Sequence, residues 1–457
     1  MGWRSSRSFL LLAGVGIIST LLYLANFRLA PFLQYLGMID PKRGTLAAYP
    51  PLFFSLFALY GVALLAVLRK RSGPSLLGLI LGIALLFRVA LLVSPVVLSS
   101  DIYRYVWDGR VQMAGISPYL YPPSAQELTA LRDEQIFPHI NRPEARTIYP
   151  PGAQMFFALN AKLFPDSITA FKAIMMLFDI GTIFLILTLL KKTGFRSDRV
   201  LLYAWSPLVL FELAGSGHLE ALMLPFVLLA ILARMSGKPG LAGVTLGMAT
   251  LIKLYPAALL PALYQRGDRR FPLAFGATIL LGYLPYFYGA GGKVLGFLPA
   301  YFGRWEDFNV GLRYFLTLAL TPLTASPRLV AMLCLTALLG AIALYLVRKG
   351  EGQDFPWRAY VMVSAYLLLL PTSFHPWYLI WILPFLCLYP SWGWLYLSGS
   401  IGLSYLKYVQ DLGILPLGIR LLEFLPLYVL LGLEAFRHRH SDARSDEVIT
   451  FMMEKSP

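Results

Sequence analysis

The sequence predicts an all-α polytopic membrane protein, and its composition and its long apolar stretches carry that prediction. Apolar residues make up 58% of the chain and charged residues only 14%, whereas a soluble domain carries about 25% charged residues. Many nearly uncharged stretches have about 17 to 23 residues, enough for a helix to cross roughly 30 Å of hydrocarbon. The formal net charge of +15 fits basic cytoplasmic loops and anionic lipid, so we expect membrane lipids and no nucleic acid as partners.

About twelve of these apolar stretches are long enough to be full spans. They occupy residues 9–27, 50–68, 75–97, 168–190, 199–214, 219–235, 271–288, 327–347, 358–371, 377–390, 392–410 and 416–436. The first follows a basic start and lacks a clear cleavage site, so we interpret it as an uncleaved span rather than a signal peptide. Cys334 and Cys387 lie inside apolar stretches and predict neither a disulfide framework nor a metal site.

Two further apolar stretches are ambiguous, and the distribution of basic residues decides how each is interpreted. Residues 240–270 form either one span or a hairpin of two half-helices that is broken near Pro256. Only the hairpin leaves most of the later basic residues in the cytoplasm, as the positive-inside rule requires. The same rule keeps residues 149–164 from spanning, because a span there would place Lys191 and Lys192 outside.

The resulting topology has both termini in the cytoplasm. It predicts a single integral membrane domain over residues 1–436 and a short cytoplasmic tail over residues 437–457, with two sizeable outward-facing loops at residues 98–166 and 289–326. The sequence contains no D-x-D, P-loop or G-x-G-x-x-G motif, so the usual marks of nucleotide or metal–nucleotide binding are missing. We therefore expect an anionic substrate carried on a lipid, no cofactor and no metal.

The first outer loop opens with an amphipathic segment, DIYRYVWDGRVQMAG, which begins at Asp101. Its apolar and charged residues fall on different faces at helical spacing, which predicts a helix that lies in the membrane interface. At the start of that helix an aspartate is a preferred cap, and the helix dipole also keeps a carboxylate ionised. Capping and catalytic roles are therefore both open for Asp101. Asp108 is expected to pair with Arg104, four residues before it.

More ionisable residues are predicted to gather near the outer surface. Arg88 lies within a span and must face a cavity or a partner, because a charge that faces lipid is costly. Lys253 falls roughly 20 Å along the half-helix that starts at Gly240, in the outer half of the membrane. The other members of the group include Glu212, His218, Glu220, Arg304 and His375. Structural roles stay open for several of them, since Asp179 or Glu212 could be a buried partner of Arg88.

The order of these motifs resembles the GT-C membrane glycosyltransferases, most closely the bacterial polyprenol-phosphate-mannose-dependent mannosyltransferases. A span with Arg88 precedes Asp101 and Tyr105, and the segments GISPY and IYPPG follow. The later segments SPLVLFELAGSGHLEALMLP, LGMATLIKLYP and FHPWYLIWILP agree with the same family, over roughly residues 75–410. The resemblance implies a GT-C-like bundle of about 12 transmembrane helices, with the half-helix hairpin and with interfacial helices in the first large outer loop.

The same resemblance implies an inverting transfer of a hexose, expected to be mannose, on the extracytoplasmic face of a bacterial inner membrane. The donor would be a polyprenyl-phosphate sugar and the acceptor a hydroxyl of a lipid-linked or cell-envelope glycan. The family's catalytic base corresponds to Asp101, and its donor-phosphate contacts correspond to Arg88 and Lys253. The residues expected to contact the substrates are Tyr105, His218, Glu220, Arg304 and His375.

A second aspartate and three other functions remain as alternatives. Family members usually have one span before the catalytic loop, whereas three are counted here, which makes Asp40 a rival base. Asp101 is favoured because only Asp101 is followed by the long aromatic loop. A lipid-linked saccharide flippase would also use intramembrane charges and broken helices, and an O-antigen ligase or polymerase and a non-catalytic scaffold also stay open. Convergence of Asp101, Arg88 and Lys253 on one cavity would favour the enzyme.

Overall fold

The computed structural model describes residues 2–35, 46–69, 74–298, 308–348, 354–410, 412 and 414–453. Within these ranges the regular elements are helices and no strand occurs, which confirms the all-α class. The predicted rival base Asp40 and the predicted substrate contact Arg304 lie outside the described residues.

The α-helices of the described chain differ widely in length. They are α1 (Gly2–Tyr35), α2 (Tyr49–Arg69), α3 (Pro74–Leu92), α4 (Asp101–Met113), α5 (Pro151–Leu163), α6 (Ile168–Lys192), α7 (Leu201–Ala204), α8 (Pro207–Val209), α9 (Glu220–Met235), α10 (Pro239–Ile252), α11 (Leu260–Leu263), α12 (Arg270–Ala290), α13 (Leu312–Leu320), α14 (Pro327–Arg348), α15 (Phe355–Leu369), α16 (Leu383–Leu386), α17 (Trp392–Ser400), α18 (Leu406–Val409) and α19 (Leu417–Met453). A π-helical turn covers Leu210–Gly215, and 3-10 turns cover Gln126–Leu131, Phe137–His139, Ser197–Val200, Tyr255–Leu259, Gly291–Leu295, Pro376–Trp381 and Ile401–Tyr405.

Fewer continuous spans are present than the sequence predicts. Among the described residues, five helices are long and apolar enough to cross a membrane: α1, α2, α6, α12 and α14. A sixth span is possible if Pro207–Gly215 and Glu220–Met235, which meet at 117°, are counted together. The stretch predicted as a span at 199–214 is divided into short helical pieces, because Pro207 has no N–H with which to continue the preceding helix. Hydropathy reports composition, and it does not report where a helix is interrupted.

Helices α10 and α12 pack closely because α10 presents two glycines to its neighbour. A Cβ atom at Gly243 would overlap the carbonyl oxygen of Phe271, and one at Gly247 would lie 2.7 Å from Cβ of Thr278. Glycines four residues apart let two helix backbones approach each other in an apolar environment. This contact fixes α10, which ends directly before Lys253.

Helix α10 ends at Ile252, and the chain then continues as a 3-10 turn and the short helix α11. The interruption lies close to Pro256, where the sequence predicts a break. Lys253 itself has an extended backbone, so its side chain leaves the helix at the point where the chain changes direction.

Helix α4 begins at Asp101 and packs against α5. A Cβ atom at Gly109 would lie 2.5 Å from the carbonyl oxygen of Phe157, so only glycine permits this approach. Helix α5 has 13 residues, or roughly 20 Å, which is too short to cross a bilayer core. The segment between the two helices is irregular apart from two short 3-10 turns.

Candidate active site

A cavity of about 670 Å³ lies between the start of α4, the break after α10 and the segment that precedes α16. Asp101 enters it from α4, Lys253 from the break, and Trp377 and Tyr378 from the Pro376–Trp381 turn. Its volume lies in the range of about 300–1,000 Å³ that is typical of small-molecule sites. The structure therefore brings Asp101 and Lys253, two of the predicted site residues, to the same cavity.

Asp101 is the first residue of α4, and its carboxylate does not cap the helix. Ser100 occupies the N-cap position without a side-chain hydrogen bond. Oδ1 of Asp101 accepts a hydrogen bond of 2.7 Å from the side-chain amide of Asn141, and Oδ2 lies 3.8 Å from Nδ1 of His218. The carboxylate is thus oriented by one neutral donor, at the N-terminus of a helix.

His218 lies behind Asp101 and is fully buried. Its ring stacks on Trp377 with 4.2 Å between ring centroids, and its Nε2 lies 3.3 Å from Oε2 of Glu212. The other carboxylate oxygen of Glu212 accepts a hydrogen bond of 2.7 Å from the hydroxyl of Tyr405. Asp101 and Tyr405 line the cavity, whereas His218 and Glu212 stay behind its wall.

Lys253 forms an ion pair with a buried acid at the edge of the cavity. Its Nζ lies 2.5 Å from Oε1 of Glu220, whose side chain is 0% exposed against 14% for the lysine. The indole N–H of Trp381 donates to the same oxygen at 3.3 Å. Glu220 therefore sets the position of the ammonium group, and the lysine, unlike the acid, lines the cavity.

Arg104 is a cavity residue that the sequence does not single out for substrate binding. Its Nε donates to Asp108 at 2.8 Å, which confirms the predicted pair, and its Nη1 donates to the carbonyl of Ala145 at 3.0 Å. Its Nη2 is buried without a hydrogen-bond partner. A guanidinium that Asp108 holds in place at the cavity suits an anionic ligand. Arg142 and Arg146 line the same cavity.

Arg88 does not reach this cavity. It is 0% exposed, its Nε donates to Asp179 at 2.7 Å, and its Nη1 donates to the carbonyl of Ala204 at 2.8 Å. The partner expected for Arg88 is therefore Asp179 rather than Glu212. The role of Arg88 in binding phosphate stays a prediction, one that this location does not favour.

Tyr105 and His375 have different positions relative to the cavity. Tyr105 is buried and packs edge-on against Tyr149, which does line the cavity. Burial and the nearby Asp101 carboxylate raise the pKa of Tyr149 well above its ordinary value, so its phenol stays neutral. His375 lines the cavity directly and stacks between Phe308 and Trp377, with centroid distances of 4.7 and 4.5 Å.

In the part of the chain that the structure describes, no three His, Cys, Asp or Glu side chains come together in a way that could hold a metal ion. Among the described residues, the charged groups that line the cavity are the carboxylate of Asp101 and the cations of Arg104, Arg142, Arg146 and Lys253. That combination can remove a proton at one point and stabilise an anion at another, as an acid–base transfer reaction requires.

The described chain is helical and contains several helices that are long and apolar enough to cross a membrane, as in a membrane protein. The sequence family MptA_B, described as "Alpha-(1->6)-mannopyranosyltransferase, N-terminal domain", matches residues 15–265, more than half of the chain. The protein belongs to this mannosyltransferase family, which confirms the family predicted from the sequence. A comparison with curated proteins gave no match. The matched region contains Asp101, Glu220 and Lys253 and ends before the aromatic segment around Trp377.

Proposed function

We propose that the protein transfers mannose from a polyprenyl-phosphate mannose donor to a hydroxyl of a lipid-linked or cell-envelope glycan, with inversion. The observation that carries this proposal is the common cavity of Asp101 and Lys253. The family match supports mannose as the sugar. The reaction would take place on the extracytoplasmic face of a bacterial inner membrane, with both termini in the cytoplasm, as the distribution of basic residues favours.

Asp101 acts as the general base of this reaction. The acceptor hydroxyl attacks the anomeric carbon while the bond from that carbon to the phosphate oxygen breaks. A carboxylate can take the hydroxyl proton when its oxygen lies within about 2.6–3.2 Å of the acceptor oxygen. The hydrogen bond from Asn141 occupies Oδ1 of Asp101, so Oδ2 is the oxygen left for the proton.

Lys253 and Arg104 stabilise the phosphate as it leaves. Negative charge grows on the phosphate oxygens during the reaction, and cations that are already in place stabilise it without reorganisation. Glu220 fixes the lysine, and Asp108 fixes the arginine. Both side chains line the cavity, so their positive charges can offset the negative charge that the phosphate gains.

The aromatic and aliphatic walls hold the rest of the two substrates. Trp377, Tyr378 and His375 line the cavity, and aromatic rings with polar edges suit the mixed apolar and hydroxyl surface of a sugar. Val97 and Leu98 line the same cavity and provide apolar contact for the first units of the prenyl chain.

The test is mannose transfer by the purified full-length protein in lipid vesicles, with polyprenyl-phosphate [14C]mannose and a glycolipid extract as acceptor. Wild type should transfer label, and Asp101→Asn should reduce kcat by about 10²–10⁴-fold, the usual contribution of general base catalysis. Asp133→Asn is the matched control, since Asp133 lies in the same segment and does not line the cavity.

Three results would contradict parts of the proposal. Wild-type protein that transfers no mannose from this donor would overturn the proposed reaction. Movement of the intact donor across the vesicle membrane without transfer would instead favour a flippase. Equal transfer by wild type and Asp101→Asn would remove Asp101 as the base and make Asp40 the next residue to test.

A further inference from the structure

A buried row of proton-exchanging groups connects two points on the cavity wall. It begins at Asp101, passes through His218 and Glu212, and ends at Tyr405. The three atom-to-atom distances along it are 3.8, 3.3 and 2.7 Å. The two contacts of His218 lie within ion-pair distance but are not hydrogen bonds. Neither ring nitrogen of His218 has a hydrogen-bond partner.

Burying His218 and Glu212 side by side costs free energy that a side chain with only a packing role would not require. Glu212 and His218 are both 0% exposed, and a buried ionisable group loses its hydration unless a partner compensates for it. An apolar side chain of similar volume would pack against Trp377 without that cost. The imidazole instead stands between two carboxylates, and a neutral imidazole has one nitrogen that accepts a proton and one that donates.

The surroundings of His218 and Glu212 include residues of six elements. Asp101 faces it from α4, Glu212 from the π-helical turn and Trp377 from the Pro376–Trp381 turn. Near Glu212 stand the hydroxyl of Tyr405 and the phenol of Tyr49, which begins α2. Lys172 of α6 approaches Gly217, but its ammonium group donates to the carbonyls of Leu91 and Ser94.

We propose that His218 is a positioning residue that receives the proton removed by Asp101, and that Glu212 anchors it for this task. The inference rests on the proposed transferase function and deepens it. Asp101 is the member of the group that touches the acceptor, and His218 and Glu212 act through it. The tautomer required has its proton on Nε2, facing Glu212, and its lone pair on Nδ1, facing Asp101.

The proton and the electron pairs balance as follows. The acceptor oxygen forms its bond to the anomeric carbon and gives its proton to Oδ2 of Asp101, while the leaving phosphate keeps the electron pair of the broken bond. Oδ2 then passes the proton to Nδ1 of His218, after the 3.8 Å contact closes by about 1 Å to hydrogen-bond distance. The imidazolium lies between two carboxylates until the phosphate or water takes the proton back through Asp101.

A proton held on His218 leaves Asp101 ionised while the product is still in the cavity. A protonated Asp101 would instead return its proton to the new glycosidic oxygen, which is the first step of the reverse reaction. The relay therefore separates the proton from the product once Asp101 and His218 have closed that contact. In this respect it follows the logic of catalytic triads, in which a third group fixes the tautomer of a histidine.

Two substitutions of His218 separate a relay from a packing role. His218→Asn keeps an amide near the position of Nδ1, and His218→Gln keeps one near Nε2, but neither amide accepts a proton. We expect both to lower kcat by about 10–100-fold while the KM for polyprenyl-phosphate mannose stays within about twofold. His139→Asn is the control, because His139 is exposed and does not line the cavity, and it should transfer at the wild-type rate.

The outcomes separate this inference from the function on which it rests. Wild-type kcat in His218→Asn, together with loss of transfer in Asp101→Asn, would overturn the relay and leave the transferase intact. His218 would be a packing residue if only one of the two amide variants kept wild-type kcat. The same would follow if KM rose and Tm fell together with kcat. Either result would also overturn the relay. No transfer by wild type would overturn the transferase and the relay together.

Glu212→Gln covers the case in which the His218 variants do not fold. Glutamine has the shape of glutamate and keeps an oxygen that accepts the hydrogen bond from Tyr405, but it removes the negative charge beside Nε2. We expect a fall in kcat of about tenfold with little change in KM. An unchanged kcat in this variant would overturn the relay by itself.

Discussion

The Arg88–Asp179 pair and the group around Asp101 and Lys253 are two charged regions of one apolar protein, and they differ in what surrounds the charges. Both side chains of the first pair are 0% exposed. The side chains of Asp101 and Lys253 are 16% and 14% exposed and line a cavity. Charge inside an apolar fold therefore does not identify a site unless a ligand can also reach it.

The hydrogen bonds of the first region join several helices. One oxygen of Asp179 faces Arg88, and the other accepts from the hydroxyl of Tyr203 at 2.7 Å. Together with the bond from Arg88 to the carbonyl of Ala204, these contacts join α3, α6 and α7. Arg88 and Arg104 each keep a buried Nη2 without a hydrogen-bond partner, but only Arg104 lines the cavity. Access from the cavity, and not an unpaired nitrogen, therefore distinguishes the second region.

The largest effect should follow from breaking the buried Arg88–Asp179 ion pair. Asp179→Asn keeps the shape of the side chain but leaves the Arg88 charge uncompensated, which costs about 3–5 kcal/mol of stability. We expect a lower Tm and a lower yield of purified protein, while the protein that does fold transfers mannose with wild-type kcat. Thermal unfolding in detergent and the vesicle assay measure the two quantities separately. Normal stability with lost transfer would instead assign Arg88 to the donor site.

A smaller effect is expected at the cavity, where a substitution should lower kcat and leave Tm unchanged. Lys253→Met would leave Glu220 as a buried and unpaired charge, so the substitution is made together with Glu220→Gln and compared with Glu220→Gln alone. Loss of the ammonium group should lower kcat by about 100-fold, or about 2.7 kcal/mol of transition-state stabilisation. The double variant and Glu220→Gln alone should have the same Tm. If the double variant kept full activity, Lys253 would have no role at the leaving phosphate.

The smallest effect concerns the exposed segment between α4 and α5. The hydrogen bond from Arg110 and the backbone N–H groups of Ile136 and Phe137 hold the pKa of Asp133 well below its usual range. A depressed carboxyl pKa stabilises the folded segment above the unfolded pKa of about 3.9, and the contribution disappears as pH falls below that value. We expect proteolysis of residues 114–150 to accelerate below about pH 4 in wild type.

Asp133→Asn is the matched variant for this measurement. Because it lacks the carboxylate, its segment should already be cleaved faster at pH 7, by an amount that corresponds to about 1 kcal/mol or less for a partly exposed ion pair. Its cleavage should then change less between pH 7 and pH 3 than that of wild type. Equal acid sensitivity in the two proteins would show that another group controls the segment. Transfer activity at pH 7 should stay close to wild type.

Part of this arrangement could be predicted from the sequence. The sequence predicts Asp101 and Lys253 on one side of the protein, because charge distribution fixes sidedness and helix length fixes depth. It also groups Arg88 with them, because depth alone does not tell which face of α3 an arginine occupies. Spacing pairs Arg104 with Asp108, as the structure confirms, but spacing does not reveal that Arg104 also lines a cavity formed by distant segments.

The number of spans shows a second limit of sequence reasoning. Prolines such as Pro207 and Pro256 interrupt apolar stretches that hydropathy treats as continuous. The interruption after α10 has a local signal in the LYP motif, whereas the π-helical turn at Leu210–Gly215 has none that spacing reveals. That turn carries Glu212 to His218, so the relay depends on a backbone irregularity that only the three-dimensional structure supplies.

The close crossing of α10 and α12 makes the geometry of the cavity depend on a place that no substrate touches. Gly247 lies six residues before Lys253, or roughly 9 Å along the helix. Any side chain added there would press against Thr278 and displace the whole half-helix, with its lysine, relative to Asp101. A directed-evolution library confined to cavity residues would therefore never sample a crossing that helps to position Lys253.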